Sequence, residues 1–325
     1  MADIMALAMA NLLTPMILCF ALGVVAALAR SDLSVPEAAA KTMSLYLLFA
    51  IGFKGGVAVS GHGLDAGLGF ALLAGVVLSA ALPLVAFVLL GVLTRLSVTD
   101  RAAVAAHYGS ISIVTFVTAT SVLADRGIAA EGYMVAVAAA MEAPAIVSAL
   151  WLIARSGGGT RMDAGLWREI LLNGSIVLLV GSFVIGAATG EAGKVRIDAF
   201  ITAPFQGVLC LFLLDMGLVA GRGLRGVRGT LGAGALVFGV VMPVIGAAVG
   251  LGTGLVLGLS TGGIALMMTL CASASYIAVP AAMRVALPEA NPSVYLTLSL
   301  GVTFPFNLIL GIPAFVAVAQ AVTGG

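Results

Sequence analysis

Two short stretches of this chain carry hydroxyls inside sequence that is otherwise apolar. The first is Tyr108 to Ser121, with Ser110, Ser112, Thr115, Thr118, Thr120 and Ser121; the second is Thr269 to Pro292, with Ser273, Ser275 and Tyr276 ahead of Pro280. A polar break in an apolar run offers N–H and O–H donors to an anion, and carbonyl and hydroxyl oxygens to a hard cation. In hydrocarbon each backbone group freed by such a break is costly unless protein or a water-lined cavity receives it, so the two stretches read as halves of one buried site. The alternative is that each hydroxyl bonds back to its own helix or to a neighbour, as is common in membrane helices.

A third stretch, Met141-Glu142-Ala143-Pro144, sets a carboxylate in an apolar segment just ahead of a proline that frees a carbonyl in the preceding turn. An intramembrane carboxylate is a functional candidate, here as an oxygen ligand for sodium; its structural alternative is a protonated or arginine-paired side chain. Asp215 is a second intramembrane acid, open between a role in transport and a cap or pair with Arg222. Lys54 reads as a snorkelling side chain rather than an anion ligand. His107 precedes the first break, where it is either a proton-linked group or a packed, hydrogen-bonded ring.

The elements that must position these residues follow from composition. Of 325 residues, 62% are hydrophobic and 9% charged, too few polar side chains to surface a soluble domain, so the chain reads as an all-α polytopic membrane protein. The 42 glycines suit closely packed transmembrane helices. A net charge of +1 without a basic tract gives no sign of nucleic-acid binding. Cys19, Cys210 and Cys271 lie in apolar runs without metal-type spacing, and His62 and His107 are the only histidines, so neither a transition-metal site nor a bound cofactor is expected.

Ten apolar spans can be marked off, each long enough for a hydrocarbon core about 30 Å thick. They run from about Ala10 to Ala29, Ala38 to Val59, Ala66 to Leu93, Arg101 to Leu123, Gly132 to Ala154, Ile170 to Ala188, Phe200 to Ala220, Leu231 to Leu257, Gly262 to Ala286 and Val294 to Val322. The N-terminus has Asp3 and no Lys or Arg before the first span, so the basic region of a signal peptide is missing and this span is expected to remain as a helix. Residues 157–168, with Gly157-Gly158-Gly159, form the longest polar connection. They divide the chain into 1–156 and 169–325.

The halves correspond. Leu48 to Gly56 lies over Leu213 to Gly221, Ser112 over Ser275, and Pro144 over Pro305, with offsets of about 161 to 165 positions. Five spans in each repeat imply that the second is inverted in the membrane, with broken helices crossing near its centre. Arg30, Lys41, Arg95, Arg101, Arg155, Arg161, Arg168, Arg222, Arg225, Arg228 and Arg284 fall on one side and Lys54, Arg126, Lys194 and Arg196 on the other. The positive-inside rule then predicts a multi-pass protein of the inner (plasma) membrane with both termini outside and 157–168 as a cytoplasmic linker.

The segment Ala272-Ser273-Ala274-Ser275, Pro280, Arg284 and Leu287-Pro288-Glu289-Ala290-Asn291-Pro292-Ser293-Val294-Tyr295 resembles the closing region of the sodium-dependent bicarbonate symporters first known from cyanobacteria. Gly109, Ser112 and Thr115 match that family's first polar stretch, and Met141-Glu142-Ala143-Pro144 matches its Met-Asp-Ile-Pro. The resemblance covers most of the chain, and Ala-Asn-Pro-Ser is its most specific part. It implies a ten-helix inverted-repeat symporter, often trimeric, in which a core domain with two broken helices moves against a gate domain. It also implies a possible cytoplasmic regulator of the PII type. Two departures stand out: Tyr276 replaces an Asp of the family pattern, and Ile113-Val114 replace a Gly-Ser before Thr115, making the site bulkier and less charged.

The expectation is therefore a sodium-coupled symporter importing bicarbonate. Ser112, Thr115, Ser273, Ser275 and Tyr276 are expected to line the anion site, and Glu142, Ser112, Thr115, Ser273 and Asn307 the sodium site. Another small anion, or a sodium/proton antiporter of similar architecture, is the alternative. A membrane-embedded hydrolase lacks a supporting motif, and no enzyme activity is expected.

Overall fold

The computed structural model describes residues 13–62, 66–142, 144–155, 172, 174–226, 231–276 and 278–324. The segment 157–168, expected as the linker, and the start of the first expected span lie outside them. Every element among the described residues is a helix. In chain order they are α1 (Pro15–Leu28), α2 (Glu37–His62), α3 (Ala66–Leu93), α4 (Val98–Gly109), α5 (Ile113–Asp125), α6 (Met134–Ala140), α7 (Pro144–Arg155), α8 (Gly174–Ile201), α9 (Phe205–Gly226), α10 (Ala233–Val256), α11 (Thr261–Ala272), α12 (Ala278–Ala286) and α13 (Pro292–Thr323). Eight runs among the described residues are long and apolar enough to cross a membrane, with α4–α5 and α6–α7 each counted as one; α1 and α11 are shorter apolar helices.

Two groups of helices result. In the first, α1 packs chiefly on α9, α2 chiefly on α8, and α2 touches α9. Glycines make these crossings possible: a Cβ on Gly23 would run into the Leu214 carbonyl, and one on Gly217 into that of Phe20. The α2–α8 crossing repeats the device, with Gly56 against the Phe183 carbonyl and Gly186 against that of Phe53. In the second group α3 packs on α4 and α7, α10 on α11, α11 on α13, and α3 on α10.

Prolines shape the second group. Pro83 within α3 removes the N–H that would reach the Ser79 carbonyl, and Gly109 packs against both that carbonyl and the Pro83 ring. Pro243 within α10 likewise frees the Gly239 carbonyl, which accepts the Thr303 hydroxyl at 2.6 Å. Pro144 and Pro305, expected as counterparts, sit in different local structure. Before Pro144 the helix stops at Ala140 and restarts, whereas α13 stays helical through Pro305 by widening into π-helical turns over Thr297–Thr303 and Asn307–Gly311. The wider turn absorbs the missing donor without opening the helix.

Candidate functional site

The fourth and ninth spans are both broken. Ser97 caps α4, its side chain accepting the Asp100 N–H at 3.0 Å, and Ser260 caps α11 in the same way through the Gly263 N–H at 3.1 Å. Each helix then runs 12 residues and stops, α4 at Gly109 and α11 at Ala272, where Ser110 and Ser273 turn to extended backbone.

The two breaks meet. Ser112 donates its N–H to Ser273 Oγ at 2.9 Å, and Ser275 N–H is shared between the carbonyls of His107, at 2.7 Å, and Ser110, at 3.2 Å. These bonds satisfy backbone that a break would otherwise leave bare, which is how irregular chain persists at depth. Ser112 also caps α5: its Oγ accepts the Thr115 N–H at 3.2 Å and the Thr115 hydroxyl at 2.9 Å. The N–H groups of Ile113 and Val114 have no hydrogen-bond partner among the described residues and point to the positive end of the α5 dipole as a place for negative charge.

Tyr276 lies in this crossing. Its hydroxyl is turned toward Ser112 without forming a well-aligned hydrogen bond, and its ring stands edge-on to Phe304, 5.3 Å between centroids. Ser110 Oγ is a second buried hydroxyl without a partner. On the α11 side Asn307 donates its amide to the Ala272 carbonyl at 2.8 Å, which leaves its Oδ1 buried and free to accept. Donors for an anion and an oxygen for a cation thus converge on one buried crossing of helix ends.

Glu142 stands differently. It is 3% exposed with Oε2 unpartnered, and no hydrogen bond among the described residues ties it to the crossing. Its turn is instead held from α3, where the Ser79 hydroxyl donates to the Met141 carbonyl at 2.6 Å. The rest of the first polar stretch divides. Thr118 and Thr120 bond back to the Val114 and Phe116 carbonyls, and in the second stretch Thr269 bonds back to that of Ala265, the alternative given for such hydroxyls above. Ser121 instead accepts from Gln206 of α9 at 2.6 Å, which ties α5 to the first group of helices. Asp215 forms no ion pair with Arg222, which donates to the Leu33 carbonyl at 2.9 Å.

Further side chains support the crossing, of which Thr303 and Ser79 were not singled out from sequence. Tyr108 hydrogen-bonds Thr303 at 2.6 Å; because Thr303 gives its proton to Gly239, Tyr108 is the donor, and the end of α4 is moored to α13 and α10. The His107 ring stacks on Tyr295, 4.5 Å between centroids, with Nδ1 2.6 Å from the Ala103 carbonyl and Nε2 unpartnered. Ser79 supports the Glu142 turn; its signal in sequence was a lone hydroxyl four residues before a proline in an uncharged helix. Asn291 of the Ala-Asn-Pro-Ser motif caps α13 through the Ser293 N–H at 3.0 Å, and its own N–H reaches Asp100 at 2.8 Å. No curated relative matches the chain. A family model described as the Na+-dependent bicarbonate transporter superfamily matches residues 15–320.

Proposed function

The chain belongs to the Na+-dependent bicarbonate transporter superfamily, and from this we propose that it is a sodium-coupled symporter that imports bicarbonate across the inner membrane. The observation that carries the reading is the mutual capping of the two breaks, Ser112 N–H on Ser273 Oγ and Ser275 N–H on the His107 carbonyl. Such a crossing sets helix N-terminal donors and carbonyl oxygens side by side, so that an anion and a cation each favour the other's binding. Bicarbonate sits on the Ile113 and Val114 N–H groups and the hydroxyls of Tyr276 and Ser110, with Ser112, Thr115, Ser273 and Ser275 shaping the cradle. Sodium takes oxygens from Asn307, Ser112, Thr115 and Ser273, and Glu142 supplies the charge that makes transport sodium-dependent.

In this reading α4–α5, α6–α7, α11–α12 and α1 each count as one pass, so the chain crosses ten times in two inverted repeats, 1–156 and 169–325. Three features support it: the serine caps at Ser97 and Ser260, the breaks after Gly109 and Ala272, and the reciprocal pairing of α1 with α9 and α2 with α8. The first group of helices is the gate and the second the moving core. A different small monovalent anion is the second reading, favoured by Tyr276, a neutral donor where the resembling family has an acid.

The test is uptake of radiolabelled bicarbonate into proteoliposomes, with and without an inward sodium gradient, at a pH where bicarbonate dominates over dissolved carbon dioxide. Sodium-stimulated accumulation is the expected result. Folded, inserted protein that takes up none would overturn bicarbonate as substrate.

A further inference from the structure

Between α2 and the second group of helices lies a cavity of about 260 Å³, separate from the crossing. Its walls include Lys54 and Gly55 of α2, Phe116 and Thr120 of α5, Glu131 of the loop that follows α5, and Leu266 of α11. Lys54 is half-buried there, its ammonium 5.0 Å from the centroid of the Phe205 ring at the start of α9. The ring holds the charge without neutralising it.

No carboxylate among the described residues forms an ion pair with Lys54. Glu131, the acid in the same wall, is held by Ser260, whose N–H and hydroxyl reach its two oxygens at 2.6 and 3.0 Å. Asp198 acts on Lys54 only at longer range, and there Lys194 opposes it. The Thr120 hydroxyl proton is committed to the Phe116 carbonyl. Lys54 thus lines the cavity without a direct ion-pair partner, while Glu131 keeps its charge but turns both oxygens to the start of α11, and partial removal from water strengthens the pull of Lys54 on an anion.

Position gives this cation its meaning. Phe116, which lines the cavity, donates its N–H to the Ser112 carbonyl at 3.0 Å, so the cavity reaches within four residues of α5, about 6 Å along the axis, of the residue that caps α5 at the crossing. It also lies between the helices assigned above to gate and core. Resting on the anion-importer reading, we infer that this cavity is a waiting site for the transported small monovalent oxyanion, and that Lys54 determines its selectivity for anions.

The test compares Lys54→Gln and Lys54→Arg with the parent protein in proteoliposomes. Lys54→Gln raises the apparent KM for bicarbonate about tenfold, leaves the maximal rate within about twofold, and flattens the dependence of KM on ionic strength. Lys54→Arg keeps KM within about twofold of the parent. A merely structural lysine would instead lower the maximal rate at constant KM.

A second readout does not depend on transport. In a Ser275→Leu background, where the crossing is filled, sodium salts of bicarbonate, formate and nitrate raise the unfolding temperature of the purified protein relative to gluconate at equal ionic strength. Adding Lys54→Gln removes that rise. An unchanged KM in Lys54→Gln, or anion stabilisation that is absent or indifferent to Lys54, overturns the inference. Lys54-dependent anion stabilisation in a protein that takes up no bicarbonate keeps the waiting site and rejects bicarbonate. Sodium-driven bicarbonate uptake with an unaltered KM in Lys54→Gln does the reverse.

Discussion

Ser273 Oγ accepts the Ser112 N–H at 2.9 Å while its own proton goes to the Leu270 carbonyl, also at 2.9 Å. One hydroxyl thus serves the broken end of α11 and the start of α5 together. Ser273→Ala leaves a buried N–H and a helix-end carbonyl without this partner, a loss of about 1–3 kcal/mol. The expected outcome is a lower unfolding temperature in detergent and reduced uptake, with Ser273→Thr retaining most of both. An unfolding temperature equal to the parent's would show that the breaks do not depend on this bond.

Tyr276→Phe separates packing from chemistry at the crossing. The ring keeps its edge-on contact with Phe304, so folding should be unaffected, while an O–H donor disappears from the anion cradle. Loss of one such hydrogen bond corresponds to about 1 kcal/mol, or roughly a fivefold rise in the anion's KM. Unchanged KM in Tyr276→Phe would remove the hydroxyl from the anion site.

Glu142→Gln replaces a buried carboxylate by an isosteric neutral amide. If the acid serves sodium, the sodium concentration for half-maximal uptake should rise about tenfold, with the unfolding temperature in sodium-free buffer little changed. Sodium activation identical to the parent's would exclude Glu142 from coupling. The Asn307 side is tested separately: a Cβ on Gly311 would lie 2.8 Å from Asn307 Oδ1, so Gly311→Ala should push that oxygen aside and weaken sodium activation while sparing the Glu142 turn.

Sequence made the helical class, eight long apolar spans among the described residues and the two breaks legible, because hydropathy and a polar interruption of an apolar run have direct physical causes. That Ser112, Ser273 and Ser275 would meet could be expected because a break in hydrocarbon needs a partner. Glu142 was legible as an expensive group but not in its placement: which hydroxyl reaches the Met141 carbonyl depends on how α3 packs, and the lone Ser79 hydroxyl does not itself name its acceptor. The mooring of Tyr108 through Thr303 to Gly239 was equally hidden, since residues 195 and 64 positions apart in the chain are joined only once Pro243 has freed a carbonyl and α13 has widened around it. For Asp215 the sequence left a role in transport and a cap or pair with Arg222 open, and Arg222 reaches the Leu33 carbonyl.

The two broken helices are also fastened at their far ends, and the fastenings match. Asp100, in the first turn of α4, accepts the Asn291 N–H at 2.8 Å from the loop after α12, and its other oxygen takes the Ser97 hydroxyl at 2.8 Å. Glu131, from the loop after α5, takes the N–H and hydroxyl of Ser260 at the start of α11. Each start of a broken helix is thereby latched to the loop that follows the other, which ties the two broken helices together at their far ends as well as at the crossing. A carboxylate beside a helix N-terminus is also favoured by the dipole. Glu131→Gln weakens a charge-assisted bond and this dipole interaction, for a loss of about 1–2 kcal/mol, and Asp100→Asn should behave alike. Both variants should lower the unfolding temperature by a few degrees, and the double variant by about the sum, because the latches sit at separate helix ends. A double variant no less stable than either single one would show that the latches do not hold the two starts independently.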